Sequence, residues 1–143
     1  MDSLVISLMV KNEETVICQT LQPFIDEGIQ HFLIYDTGSI DNTVSIVRDY
    51  FDKNNVKNAI IIQDNFINFS ESRNICLELV KSKFPLIPLT LMIDSEWYIH
   101  NVKGLLDFCK EILNDNFDYF LIIYLILNSD NQLINILKII IFF

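Results

Sequence analysis

The chain alternates four times between a short apolar run and a segment in which apolar residues recur at helical spacing. The apolar runs are nearly uninterrupted, which is typical of parallel strands that are covered by helices on both faces. Strands that alternate with helices in this way indicate an α/β domain built on a mainly parallel sheet. We predict its strands at residues 3–10, 31–35, 58–62 and 88–94.

Residues with special backbone preferences indicate where the intervening helices begin and end. Pro23 and Gly28 are expected to mark the end of the first helix, because proline interrupts helical hydrogen bonding and glycine favours a helix terminus. Asp41 or Asn42 is expected to cap the second helix, and Ser70 the third. The four predicted helical segments are 11–28, 41–55, 70–83 and 101–113.

Composition excludes several classes of protein. Of the 143 residues, 51% are hydrophobic, which indicates one globular domain rather than a disordered chain. A formal net charge of −9 argues against nucleic-acid binding, which needs a basic surface. The segment 1–3 is acidic where a signal peptide has basic residues. Because Cys18, Cys76 and Cys109 are widely spaced, we expect reduced thiols in a cytoplasmic protein.

Two strongly apolar runs, 119–127 and 133–143, close the chain. Each is shorter than the roughly 20 residues that a transmembrane helix needs, so we expect no transmembrane segment. They are predicted to form two strands joined by a turn at 129–131. Their apolar side chains and open strand edge favour self-association or the docking of a partner.

Polar clusters follow three of the four predicted strands. Segments 11–13, 36–39 and 94–96 each begin where an apolar run ends. In an open parallel sheet the ligand crevice lies outside the carboxyl ends of the strands. The sequence therefore predicts one polar site that draws on all three clusters.

The string Asp36-Thr37-Gly38-Ser39 also surrounds the catalytic carboxylate of aspartic proteases. Those enzymes are all-β proteins that need a second Asp-Thr-Gly, whereas this string leads into a helix and the chain has only three glycines. Asp36 is instead expected to accept hydrogen bonds from a base or sugar, with a plain helix-entry turn as the alternative.

Two further groups suggest phosphate chemistry. Asp94 and Glu96 lie two residues apart in a predicted turn after the fourth strand, where both carboxylates can reach one Mg²⁺ or Mn²⁺ ion. Such an ion bridges to phosphate oxygens and is completed by them. Arg73, near the start of the third helix, favours an anion; the alternative is a solvated helical arginine.

Four strings occur in the order SLMVKNEE, IYDTGSIDNT, FSESRN and MIDSEW. Together they resemble the family 2 glycosyltransferases with the GT-A fold, a three-layer α/β/α, Rossmann-like architecture. The resemblance covers residues 3 to about 113, and four motifs in register are specific where one alone is weak.

The resemblance implies sugar transfer from a nucleotide sugar, often a UDP-sugar, to an acceptor hydroxyl. An Asp base would deprotonate the acceptor, and Mn²⁺ or Mg²⁺ would stabilise the leaving diphosphate. It implies a metal site at Asp94 and Glu96, and Glu96 stands where the family usually has Asp. The nucleotide-binding residues that it implies are Val10, Asn12, Glu13, Asp36, Gly38, Ser39, Arg73 and Asp94.

Family members usually continue well past the MIDSEW position, with the acceptor site and the catalytic base in that continuation. Here 114–143 is an atypical apolar segment without a recognisable base motif, so the catalytic residue stays unknown. We therefore interpret 1–143 as a single glycosyltransferase-like domain, the nucleotide-sugar-binding half of a truncated enzyme. The alternatives are a non-catalytic remnant or a subunit that a partner completes. A nucleotidyltransferase is disfavoured, because no glycine-rich loop follows the first strand.

Overall fold

The structure is a computed structural model that describes residues 3–114, 119–127 and 133–142. Strands and helices alternate along the chain as the sequence predicts. The strands are β1 (Leu4–Val10), β2 (His31–Asp36), β3 (Asn58–Gln63), β4 (Leu89–Ile93), β5 (Tyr119–Leu127) and β6 (Leu133–Phe142). The helices are α1 (Ile17–Asp26), α2 (Thr43–Lys53), α3 (Phe69–Lys83) and α4 (Val102–Asn114).

The first four strands form one parallel sheet in the order β3-β2-β1-β4. The chain therefore steps outward from β1 to β3, and α3 then returns it to the other side of β1. Strand order reverses between β1 and β4, and in open α/β sheets this reversal opens a crevice beyond the carboxyl ends of the strands.

Helices cover both faces of this sheet. Alternate side chains of β1, such as Leu4, Ile6 and Leu8, pack in one buried cluster with apolar residues of α1, α2 and α4. Val5, which points the opposite way, belongs to a second cluster with Cys76 and other residues of α3. The predicted three-layer α/β/α architecture is confirmed, and period-two alternation in fully buried strands explains it.

Helix α1 differs from its predicted end. Pro23 lies inside the helix, which continues to Asp26, so proline does not end it. Proline removes one helical hydrogen bond, but burial of Leu21 and Phe24 against the sheet holds the helix on either side of it. Gly28 does end α1: at φ +78° its amide donates to Ile25, and the next amide donates to Phe24, which is the Schellman arrangement.

Helix α3 begins one residue before the predicted cap. Ser70 lies within its first turn, and Asn68 is the cap, with its side-chain oxygen accepting the amide of Glu71 at 2.9 Å. The sequence signal was present, because Asn68 precedes Glu71 by the three residues of a capping box. At α2 the side chain of Asn42 makes no capping hydrogen bond, and Asp41 accepts the amide of Thr43 at 3.0 Å instead.

Cys18, Cys76 and Cys109 are free cysteines, and each lies on a helix. Burial raises the pKa of Cys76 to about 12, a shift that the Ser7 hydroxyl partly opposes. Burial likewise raises the pKa of Cys109 to about 11. Cys18 is half-buried, and burial raises its thiol pKa as well. All three thiols are therefore protonated at neutral pH, which makes them poor nucleophiles.

The two C-terminal apolar runs form strands, as predicted. β5 and β6 pair antiparallel in a separate two-stranded sheet, from Tyr119 opposite Phe142 to Leu127 opposite Leu133. The predicted turn at 129–131 falls outside the described residues. In the described part of the chain, no helix is both long and apolar enough to cross a membrane.

Candidate functional site

A cavity of about 560 Å³ opens at the carboxyl ends of β1 and β4, where the strand order reverses. The loop after β1, the turn after β4 and the first turns of α3 surround it. A parallel sheet brings these segments together because all its strands end at the same edge. The residues around the cavity are Met9, Val10, Lys11, Glu13, Thr37, Phe66, Phe69, Arg73, Asp94, Ser95, Glu96 and Trp97.

One side of the cavity is formed by two loops that brace each other, residues 10–14 and 36–43, which we call the braced wall. The carbonyl oxygen of Val10 accepts both the amide and the hydroxyl of Thr37, at 2.9 and 3.1 Å. The amide of Glu13 donates to the Thr43 hydroxyl at 2.7 Å. These bonds join segments about thirty residues apart, so the wall is fixed by tertiary contacts.

Asn12 and Ser39 lock the two loops together. Asn12 adopts a left-handed conformation, φ +57°, which asparagine tolerates better than most residues. Its amide donates to the Ser39 hydroxyl at 2.8 Å, and its side-chain oxygen accepts the amide of Ile40 at 2.8 Å. The KNEE and DTGSIDNT strings therefore form one hydrogen-bonded unit.

Asp36 is part of the braced wall but lies behind the surface that borders the cavity. Its side chain is fully buried, and its two oxygens lie 3.3 and 3.2 Å from the Ser39 amide. The Ser39 hydroxyl also donates to it, and a longer bond of 3.5 Å comes from Gln63. Gly38, at φ +100°, turns the backbone so that Ser39 faces back to the carboxylate. The adjacent residue that reaches the cavity is Thr37.

Asp41 closes the braced wall at the start of α2. Partial desolvation acts to raise the pKa of its carboxyl, but hydrogen bonds from the hydroxyl and amide of Thr43 and from the amide of Glu14 prevail and lower it. The charged form is therefore the one that the folded loop stabilises. These contacts give Asp41 and Thr43 structural roles at the start of α2.

Residues 66–73 and 94–97 form the opposite side of the cavity, which we call the open wall. Its backbone is ordered, and most of its residues are exposed. After β4 the chain turns tightly, with the amide of Trp97 donating to the Asp94 carbonyl at 3.1 Å. The buried Ser95 anchors this turn to α1, because its carbonyl accepts the Thr20 hydroxyl. Asp94 and Glu96 both border the cavity from this turn.

Arg73 connects the two segments of the open wall. Its guanidinium lies 3.4 Å from an Asp94 oxygen and 5.8 Å from the centre of the Phe69 ring. The side chains of Arg73 and Asp94 are 46% and 47% exposed, so solvent screens the pair and it contributes little to stability. An anion that enters the cavity meets this guanidinium without having to displace a buried ion pair.

The predicted site residues divide into two groups. Five of them border the cavity, whereas Asn12, Asp36, Gly38 and Ser39 hold the braced wall from behind. The five are Val10, Glu13, Arg73, Asp94 and Glu96.

Sequence reasoning missed the aromatic lining from Phe66, Phe69 and Trp97. The available signal was Phe66 in the polar loop after β3, because a connecting loop rarely needs large apolar side chains, and Phe69 at the start of α3.

Asp94 and Glu96 are the candidate ligands for a divalent metal ion. Asp94 and Glu96 offer the hard oxygen ligands that Mg²⁺ and Mn²⁺ prefer, and both face the cavity. Within the described residues no group of three or more His, Cys, Asp or Glu side chains could hold an ion. Two carboxylates alone would leave most coordination positions of such an ion to phosphate and water.

No family model matches the chain, and no curated protein matches it in sequence. Solved structures do match. The crystal structure of S. aureus TarS 1-349 superposes with a TM-score of 0.64 at 22% identity, over 81% of this chain and 34% of that one. The mannosyltransferase PcManGT from Pyrobaculum calidifontis, in complex with GDP-Man and Mn²⁺, superposes with a TM-score of 0.58 at 14% identity, over 71% and 30%.

The chain thus spans about a third of the length of either neighbour. At these identities the likeness concerns the fold. The chain has the α/β, Rossmann-like GT-A fold of the glycosyltransferases.

Proposed function

We propose that this protein binds a nucleotide sugar together with a divalent metal ion, as the donor-binding part of a glycosyltransferase. The observation that carries the proposal is the position of the cavity. It lies at the strand reversal of a GT-A sheet and is bordered by Arg73, Asp94 and Glu96, which provide one cation and two metal-type ligands.

Charge supports a metal-dependent mode of binding. Three carboxylates, Glu13, Asp94 and Glu96, border the cavity against two cations, Lys11 and Arg73, so the net charge there is negative and opposes a bare diphosphate. An ion held by Asp94 and Glu96 would neutralise that repulsion and, in sugar transfer, stabilise the diphosphate as it leaves. Arg73 supplies a further positive charge from the side of α3.

The proposed donor is a UDP-sugar, although GDP-Man is the ligand of one structural neighbour. A role for Asp36 in nucleotide binding also belongs to this proposal. In the present structure Asp36 acts through the loop that it holds, because its oxygens are bound to Ser39 and Gln63. Thr37 is the residue of that loop that borders the cavity, where a base would contact it.

Transfer itself is proposed for the whole enzyme. The bond between the anomeric carbon and the diphosphate would break, an acceptor hydroxyl would bond to that carbon, and its proton would pass to a base. No residue of the cavity is assigned as this base. The alternative is a chain that binds the donor without transferring it. Because the chain spans only about a third of the length of either neighbour, both binding and transfer are measured.

The test is calorimetric titration of the full chain with UDP, GDP and their sugars, in Mn²⁺ and in EDTA. We expect binding in Mn²⁺ that weakens at least about tenfold in EDTA, since the acidic cavity repels a diphosphate without an ion. Equal affinity in both buffers would remove the metal role of Asp94 and Glu96. Release of the free nucleotide from its sugar, measured in the same samples, separates a transferase or hydrolase from a binding protein.

A further inference from the structure

The open wall of the cavity carries two exposed phenylalanine rings. Phe66 is 40% exposed and Phe69 is 65% exposed, and both border the cavity next to charged residues such as Arg73. The two rings meet edge to face, with centroids 5.2 Å apart. Large apolar rings are usually buried in the core of a protein. Two rings that stay exposed in a concave site therefore indicate a surface that a ligand covers.

Hydrogen bonds fix the backbone of the segment that carries the two rings. Asn68, between them, caps α3, and the amide of Ile67 donates to the hydroxyl of the buried Ser72 at 3.4 Å. Phe69 is the first residue of α3, one turn before Arg73, whose guanidinium lies over its ring. Fixing the backbone lowers the entropy that the segment would lose when a ligand binds.

The order of groups along the open wall matches a nucleoside diphosphate. Asp94 lies beside Arg73, Arg73 lies over Phe69, and Phe69 touches Phe66. Each step is shorter than 6 Å, so anion-binding and ring-binding groups adjoin along one wall. The braced wall offers Val10, Lys11, Glu13 and Thr37 to the cavity, which have no ring on which a base could stack.

We infer that Phe66 and Phe69 form a stacking platform for the base of the nucleotide, next to a diphosphate subsite at Arg73 and Asp94. This inference rests on the proposed function and extends it to the base subsite. Stacking tolerates any base because every base has a π face, so the platform supplies affinity rather than a choice between uracil and guanine. Discrimination between bases then falls to polar groups such as Thr37.

Trp97 provides the readout, because it borders the cavity and is the single tryptophan of the chain. Its fluorescence is followed while UDP, a UDP-sugar, GDP or inorganic pyrophosphate is added in Mn²⁺. The variants are Phe66→Leu, Phe69→Leu and the double variant, with Phe69→Tyr to restore a ring. Phe108→Leu is the matched control: Phe108 is also 40% exposed, but it lies on α4 away from the residues that border the cavity.

We expect the double variant to bind UDP and GDP about 5- to 150-fold more weakly, the range that loss of base stacking gives. Pyrophosphate affinity should stay within about twofold, because pyrophosphate has no base and keeps Arg73 and Asp94. Phe69→Tyr and Phe108→Leu should resemble the wild type. Since all these side chains are substantially exposed, thermal unfolding should confirm that each variant is folded.

Three outcomes would overturn the platform while leaving nucleotide binding in place. Unchanged UDP and GDP affinity in the double variant would show that the rings do not touch the base. An equal loss for pyrophosphate would show that the rings act by positioning Arg73. A loss for the UDP-sugar but not for UDP would move the rings to the sugar subsite. Absence of any nucleotide binding by the wild type would instead reject the proposed function together with the platform.

Discussion

The two walls of the cavity are built in opposite ways. In the braced wall the polar side chains are satisfied by one another, as with Asp36 and Ser39 or Thr43 and Glu13. In the open wall the backbone is anchored, but Arg73, Asp94 and Phe69 remain substantially exposed. Polar groups that are already paired hold a shape, whereas exposed charged and aromatic groups are available to a ligand. We therefore expect substitutions in the braced wall to lower stability and substitutions in the open wall to lower affinity.

The largest effect is expected for Asp36→Ala in the braced wall. The change leaves the Ser39 amide and hydroxyl without their acceptor and empties a fully buried position. Together these losses should lower the free energy of unfolding by about 3 kcal/mol, measured by urea denaturation. Asp52→Ala, at an exposed position of α2, is the control. An unchanged unfolding midpoint with weaker nucleotide binding would instead assign Asp36 directly to the base.

The next effect is expected for Asp94→Asn in the open wall. Loss of this carboxylate charge should weaken UDP binding in Mn²⁺ by about tenfold or more, because an amide is a poorer ligand for a hard cation. Stability should change by less than about 1 kcal/mol, since the side chain is half-exposed. Calorimetry and denaturation on the same sample check both parts. Asp107→Asn, an exposed carboxylate on α4, controls for net charge.

A smaller, pH-dependent effect is expected at Asp41. Because its folded-state pKa lies below the ordinary value of 3.8, its contribution to stability is present above that value and is lost as pH falls through the lowered pKa. Asp41→Asn cannot titrate, so its melting temperature should lie a few degrees below that of the wild type at pH 7. The gap should close toward pH 3. A gap that is constant from pH 7 to pH 3 would show that the charge of Asp41 is not what holds the loop.

The smallest effect is expected for Arg73→Gln without ligand. The pair with Asp94 is long at 3.4 Å and screened by solvent, so unfolding free energy should change by less than about 0.5 kcal/mol. Nucleotide affinity should nevertheless fall, since the guanidinium would contact the diphosphate. A large loss of stability here would break the contrast between the walls.

Local sequence signals predicted which strands and helices form, but not where all of them begin and end. Apolar runs identified β1, β2, β3 and β4, because a strand buried on both faces must be apolar throughout. Pro23 misled the prediction for α1, since packing of the helix on the sheet outweighs one lost hydrogen bond. Ser70 misled it for α3, because two good capping residues lie two positions apart and Asn68 prevails.

The sequence by itself determined that the chain forms a parallel α/β sheet and that segments 11–13, 36–39 and 94–96 meet at one edge of it. Only the tertiary structure decided which of their side chains face the cavity. The turn at Gly38 buries Asp36 and presents Thr37, and the return of the chain through α3 brings Arg73 to Asp94. Sequence periodicity indicates whether a residue is buried or exposed. The direction of a side chain at a strand end depends instead on contacts with segments distant in sequence.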